Sequence, residues 1–424
     1  MEEPVFSVLH RGFTVPVRDP LWGHIYLTPG LASLCESVPF MRLSRIFQLG
    51  PAYYIYPGAT HTRASHSIGV YYLAKRLLAN LCEKGASWLS PKGVLSFFCA
   101  ALLHDVGHFP YTHSLKELDL EEHEKLSAGI ILCEPLKSLI GKAGADPEFT
   151  AAIVDKSGKY TETQEKPGCS ELQFYRKLLS GVLDPDKLDY LNRDARYCGV
   201  PYGAQDVDFI YSRLFPHPER GIEIDSRGIP SVESILFSKY LMYRTVYWHK
   251  QVRSATAMIK KALIAALEQR IIAAPDLYNL DDQGLISLMA AKQKDFPLFS
   301  LAEKIREGKL FTETASFFFD EKKHGAFLPI SGRNEREKEL AAEINRVLPN
   351  RVNPDSIIID VPEPVSFETD LFVRDENRTF GESSSAFNAA TVEAFVKSLR
   401  KIRIFSEKSL NIPEGILQNF INGV

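Results

Sequence analysis

Residues 100–113, AALLHDVGHFPYTH, place His104, Asp105, His108 and His113 directly behind an apolar run. Upstream, Ser90 stands as an N-cap and Pro91 in the first turn. Val94, Phe97, Phe98, Ala101 and Leu102 then recur at helical spacing. The pattern predicts a core helix over 91–108, ended by Pro110. On a 3.6-residue period His104 and His108 share a face, with Asp105 on its shoulder. Imidazole beside carboxylate at a buried helix end suits a divalent ion with mixed nitrogen and oxygen ligands. Such an ion lowers the pKa of bound water toward neutrality.

Further ligands must come from elsewhere in the chain. His66, at the start of another helix, is one candidate. The segment LDPDKLDYLNRD, residues 183–194, is the other source. There Asp186, Tyr190 and Asp194 recur at i, i+4 and i+8 and so line one face. Taken singly, these signals have ordinary readings. A histidine pair one turn apart is often a solvated surface, and Asp186 or Asp189 near a helix start is favoured by the helix dipole. Their order along the chain is what stands out. Eight of the eleven histidines fall in the first 123 residues, and five lie from His66 to His123.

The remainder sets the frame. The 424 residues are 45% apolar and 24% charged, with a net charge of −3. This is a globular balance with no overall attraction to nucleic acid or to an anionic membrane. The start, MEEPVFSVLHRGF, has no leader-like apolar run, and no stretch is long enough to span a bilayer. The six cysteines form no CxxC pair, which suits reduced thiols and a cytoplasmic protein. Short β-prone runs, FTVPV and HIYL, precede a mainly helical region from about 30 to 275. Residues 155–170 read as a polar loop, and one long helix is expected over 231–273, between Pro230 and Pro275. Beyond, SIIIDV (356–361), TDLFVRD (369–375) and KIRIF (401–405) read as strands among helices. The expected architecture is mainly α, with a helical domain over 1–274 and a smaller α+β lobe over 275–424.

At this point the order His66…His104-Asp105…Asp186 resembles the ligand tetrad of the HD-domain metal phosphohydrolase superfamily. RDPLWGHIYL, MRLSRIFQLG, YPGATHTRASHSIGVYYLA, EEHEKLS, GVLDPDKLDYLNRDA and MYRTVYWHK narrow the resemblance. They are similar to the deoxynucleoside triphosphate triphosphohydrolase branch, over about residues 13–270. The resemblance implies an HD-type helical core and conversion of a dNTP to deoxynucleoside and inorganic triphosphate. It implies one divalent ion per site (Mg, Mn, Fe, Co, Ni or Zn), held by His66, His104, Asp105 and Asp186. It places His108 and His123, followed by Glu124, around the attacking water, and His113 as general acid. Arg63, Lys187 and Lys239 match phosphate contacts, Lys239 in place of an arginine and so without its bidentate fork. Tyr190 and Asp194 fall near phosphate and sugar, Gln48 and Leu49 near the sugar 3′-hydroxyl, and Tyr247 beside sugar and base. A homodimer or tetramer is implied as well.

Some positions depart from the family pattern. Met41 and Ser44 stand where an activating nucleotide is bound, so activation by dGTP in the same way is not expected. Lys116 replaces an acidic residue, and Trp22 a small or polar one. The tetrad alone also permits hydrolysis of guanosine tetraphosphate, a cyclic nucleotide or a nucleoside monophosphate. A nucleotide-binding regulator with vestigial chemistry is the reading from another class, and the acidic balance gives nucleic-acid binding no support.

Overall fold

Two long apolar stripes start the fold. Val70, Leu73, Leu77 and Leu81 recur along the Arg63–Glu83 helix, and Val94, Phe97, Phe98 and Ala101 along Pro91–Leu103; all are buried. Each phenylalanine so buried contributes about 2 kcal/mol of transfer free energy. Ser90 caps the second helix by accepting from the Gly93 amide at 2.9 Å, with Pro91 in its first turn. The Pro185–Cys198 helix completes the group and packs on Arg63–Glu83. The computed structural model describes residues 4–115, 117–118, 120–157, 171–330, 332–348, 352–408, 412 and 414–423. Lys116, Cys169 and most of the expected polar loop lie outside the described residues.

The chain is mainly helical, with small sheets, as its sequence predicts. An antiparallel hairpin, Val15–Asp19 with Gly23–Leu27, opens it. Ile357–Asp360 and Lys401–Ser406 pair antiparallel, as the apolar runs suggest, and Thr312–Phe318 flanks Lys401–Ser406 on its other edge. A four-stranded sheet was not anticipated: Leu214–His217, Gly221–Ile224, Phe372–Val373 and Arg378–Thr379 lie in that order. Within it Gly221–Ile224 and Phe372–Val373 run parallel, joining the late segment to the helical half. Val365, Phe367 and Leu371 enter the core of the early helices. Phe299, Ile358 and Phe405 share a second core with the Lys250–Glu268 helix and Phe109. Among the described residues no helix is long and apolar enough to cross a membrane.

Two helix expectations are corrected. The helix begun at Pro91 ends at Leu103, not at residue 108. The His104 ring turns back to the Ala101 carbonyl (2.9 Å), and Ser127 Oγ donates to the His104 carbonyl (2.6 Å). Those bonds compete with continuation of the ladder. The expected 231–273 helix is broken into Ile229–Met242, a π-helical turn at Tyr243–Tyr247, and Lys250–Glu268. The Tyr56 hydroxyl takes the Thr245 carbonyl at 2.8 Å, and the Trp248 amide reaches back to Tyr243 at 2.9 Å. The extra residue in that turn swings Tyr243 and Tyr247 toward one cavity, a common use of π turns.

Candidate metal centre

Several segments converge on a cavity of about 650 Å³, and four of them carry most of the candidate residues. The first is the turn 46–49, held beside the start of the Arg63–Glu83 helix. The Gln48 amide donates to the His61 carbonyl and the Arg63 amide to the Ile46 carbonyl, both at 3.0 Å. The second is the His104–His113 turn. Gly107 brings it against the His123–Ile131 helix: a Cβ there would overlap the His123 carbonyl and the Ser127 amide. The third is the Pro185–Cys198 helix, capped by Asp184. The fourth is the π turn with the residues after it.

At the centre, ligand atoms of His66, His104 and Asp105 lie within 4.8 Å of one another. His66 Nδ1 donates to Asp189 Oδ2 at 2.8 Å, which leaves the Nε2 lone pair facing Asp186 Oδ1 at 3.0 Å. A lone pair and a carboxylate at that separation need a proton or a cation between them. Burial would lower the His66 pKa, but Asp186 and Asp189 raise it to about 10 when a proton fills the role. His104 is set up alike. Its Nδ1 bonds the Ala101 carbonyl, so Nε2 carries the lone pair, is buried without a hydrogen-bond partner, and lies 3.2 Å from Asp105 Oδ1 and 4.0 Å from Asp186 Oδ1. Burial would raise the Asp105 pKa, yet His104, His108 and Arg63 hold it well below the usual carboxylate range. Two imidazole nitrogens and two carboxylates in this arrangement fit a divalent cation.

The predicted residues all line this one cavity: Gln48, Leu49, Arg63, His66, His104, Asp105, His108, His113, His123, Glu124, Asp186, Lys187, Tyr190, Asp194, Lys239 and Tyr247. Their partners differ from expectation in places. Arg63 pairs with Asp105 (Nη1–Oδ2 2.8 Å), so it is held at the carboxylate of the His66–His104–Asp105 cluster. His108 is fully buried, 3.2 Å from Asp105 Oδ1, and its ring lies 3.9 Å from that of His123. Burial, Arg63 and His123 push its pKa well below that of a free imidazole. His113 is exposed, with its ring 4.7 Å from His108 and 5.2 Å from His123. His123 Nδ1 meets Glu124 at 3.0 Å. Lys187 Nζ pairs with Asp184 at 2.8 Å and Glu368 at 2.7 Å, and Lys239 Nζ donates to the Ser366 carbonyl at 2.8 Å.

Sequence reasoning missed the residues that hold these groups in place. Asp189, which orients His66, is gripped by Arg193 (Nε–Oδ2 2.8 Å, Nη2–Oδ1 2.9 Å) and by the Trp22 indole at 2.6 Å. Arg193 also binds Asp19 at 2.8 Å. Such outer partners fix the ring orientation of a ligand histidine. Trp22, a departure from the family pattern, thus gains a role here. Gly69 makes the grip possible, because a Cβ would overlap both Asp189 and Arg193. The Tyr247 hydroxyl donates to Asp194 Oδ2 (2.7 Å), whose Oδ1 meets His61 Nε2 (2.8 Å). The i, i+4 spacing of Asp189 and Arg193 was the one available signal; His61 offered none.

Residues 63–160 match the HD domain and residues 215–406 the HD associated region. The chain is 33% identical over 249 residues to an uncharacterized Bacillus subtilis protein, YwfO, covering 58% of this chain and 54% of that one. It is 28% identical over 285 residues to bovine deoxynucleoside triphosphate triphosphohydrolase SAMHD1, covering 59% and 47%. The chain thus spans about half the length of these curated relatives. A solved Bacteroides thetaiotaomicron structure described as a phosphohydrolase shares the fold, with a TM-score of 0.68, 22% identity and coverage of 93% and 99%. The chain carries an HD domain followed by an HD associated region.

Proposed function

We propose that this chain hydrolyses deoxynucleoside triphosphates to deoxynucleoside and inorganic triphosphate. The observation that carries the reading is the single cavity. It joins the His66–His104–Asp105–Asp186 cluster to Lys187 and Lys239 on one side and to Gln48, Leu49 and the Tyr247–Asp194 pair on another. Its volume is that of a site for one small ligand. The SAMHD1 relatives, named for this reaction, support the choice of substrate.

His66, His104, Asp105 and Asp186 would hold one divalent ion. When bound, that ion neutralises phosphoryl oxygens and lowers the pKa of water. His108 and His123, with Glu124 beside them, orient the attacking water. His108 is kept neutral by burial and by Arg63, so it can accept a proton. His113, at the exposed rim, delivers a proton to the leaving 5′-oxygen. Arg63, Lys187 and Lys239 take phosphate oxygens. Gln48 and Leu49 face the sugar edge, Tyr190 and Asp194 line the wall between sugar and phosphate, and Tyr247 packs beside sugar and base.

The test is to incubate the protein with each of the four dNTPs and with Mg, Mn, Co or Fe, and to assay deoxynucleoside and triphosphate together. Both products are expected in equal amounts. No product with any metal overturns the reading. Consumption of guanosine tetraphosphate, a cyclic nucleotide or a monophosphate while dNTPs stay intact replaces it.

A further inference from the structure

The segment 361–371 crosses the cavity between two anchors. Behind it Ile357–Asp360 is fixed in the three-stranded sheet; ahead, Phe372–Val373 lies parallel to Gly221–Ile224. Within it Val365 and Phe367 are buried in the helical core, while Ser366 and Glu368 are exposed. That alternation is the period of an extended chain. Its polar positions reach the two cavity lysines. The Ser366 carbonyl accepts from Lys239 and the Glu368 carboxylate pairs with Lys187. Glu368 is 43% exposed at its side chain, and Lys187 14%.

We propose that Glu368 is a displaceable stand-in for a phosphate group, and so a specificity-determining residue that acts against ligands long enough to reach Lys187. This rests on the reading of Lys187 as a phosphate contact. Lys187 carries two carboxylates, but the two are not alike. Asp184 is buried and caps the helix that carries Lys187, accepting from the Lys187 amide at 2.6 Å. It cannot leave without uncapping that helix. Glu368 is half-exposed and is held by its ion pair with the lysine, so it can swing into solvent at small cost. A phosphate arriving at Lys187 must displace it, since the three ammonium hydrogens are already taken by the Gly181 carbonyl at 2.8 Å, Asp184 and Glu368. A ligand that ends at the metal cluster never meets it. The cost therefore falls on the polyphosphate tail alone. The strap belongs to the HD-associated region, so this contact makes the late half of the chain a party to substrate choice.

The probe is inorganic triphosphate against orthophosphate, titrated calorimetrically into the full chain at low salt. Glu368→Gln removes the charge and keeps the shape. It should tighten triphosphate binding by about fivefold, the worth of a half-exposed ion pair, and leave orthophosphate unchanged. Asp370→Asn, on the same strap but outside the cavity lining, controls for loss of any one negative charge and should change neither. Unchanged triphosphate affinity in Glu368→Gln, or equal tightening for both probes, overturns the proposal. Lys187→Ala separates the two levels. If it leaves triphosphate binding intact, the phosphate reading of that lysine fails; if it weakens binding while Glu368→Gln does nothing, the reading stands and Glu368 has no part in it.

Discussion

The two sides of the cavity are built in opposite ways. Around the His66–His104 cluster the two histidines are fixed from behind, His104 by the Ala101 carbonyl. His66 rests on Asp189, Asp189 on Arg193 and Trp22, and Arg193 on Asp19. Gly69 and Gly107 let backbones and charges approach where no side chain would fit. On the lysine side, Lys187 and Lys239 are met through single contacts by the outward-facing positions of the strap. The difference teaches where tolerance lies. On the proposed reading, chemistry that depends on ligand geometry sits in a buried network, and recognition of a flexible tail sits where one ion pair can exchange for another.

The largest effect should come from breaking the fixed side at its ligands. His104→Ala or Asp105→Ala should abolish both turnover and bound metal, read by elemental analysis of the purified protein beside the dNTP assay. Metal and activity retained in both variants would mean that the ligands are other residues. His113→Ala tests the rim of the same side. As a general acid, its loss should lower kcat by about a hundredfold or more while metal content stays full. Loss of metal in this variant would make it a structural ligand instead.

Asp189→Asn probes the support behind a ligand. The amide can still accept one bond but no longer balances His66 and Arg193 together. Metal affinity should fall by about ten- to a hundredfold, the usual range for an outer partner. Chelator competition measures it, and an unchanged affinity would show that His66 needs no orienting carboxylate.

These residues also mark the limit of what the sequence discloses. The histidines and Asp186 could be picked out because their residue types are rare in core helices and their order matches a known tetrad. The helical half could be read from its apolar spacing. Asp189, His61 and Trp22 could not, because their meaning lies in contacts to residues 123, 133 and 167 positions away. The π turn gave no signal, since one widened turn hardly alters a 3.6-residue pattern. Glu368 was hidden for a different reason. An acidic residue in an exposed extended segment is ordinary, and only the lysine it meets makes it notable. The strand Leu214–His217 escaped notice for want of a long alternating run.

The last effect, on stability and not on the site, concerns the seam between the early and late halves. Asp282, at the start of the Asp282–Lys292 helix, accepts the Phe47 amide at 2.9 Å and so ties the late half to the turn that carries Gln48 and Leu49. Burial raises its pKa to about 6, against the lowering pull of the Phe47 amide and Arg63. The sign follows from linkage. Below about pH 4 the carboxyl is protonated in both folded and unfolded chains and costs nothing. Between about 4 and 6 the unfolded chain releases its proton and the folded chain keeps it, so stability falls as pH rises. Above 6 both are ionised and the full penalty, at most about 3 kcal/mol, remains. Asp282→Asn keeps an acceptor for Phe47 and removes the charge. It should therefore melt higher than the parent at pH 7.5, with the gap closing as the pH is lowered toward 4. A gap that does not vary with pH would mean that the carboxyl titrates normally, and that its burial beside the Phe47 amide carries no charge penalty.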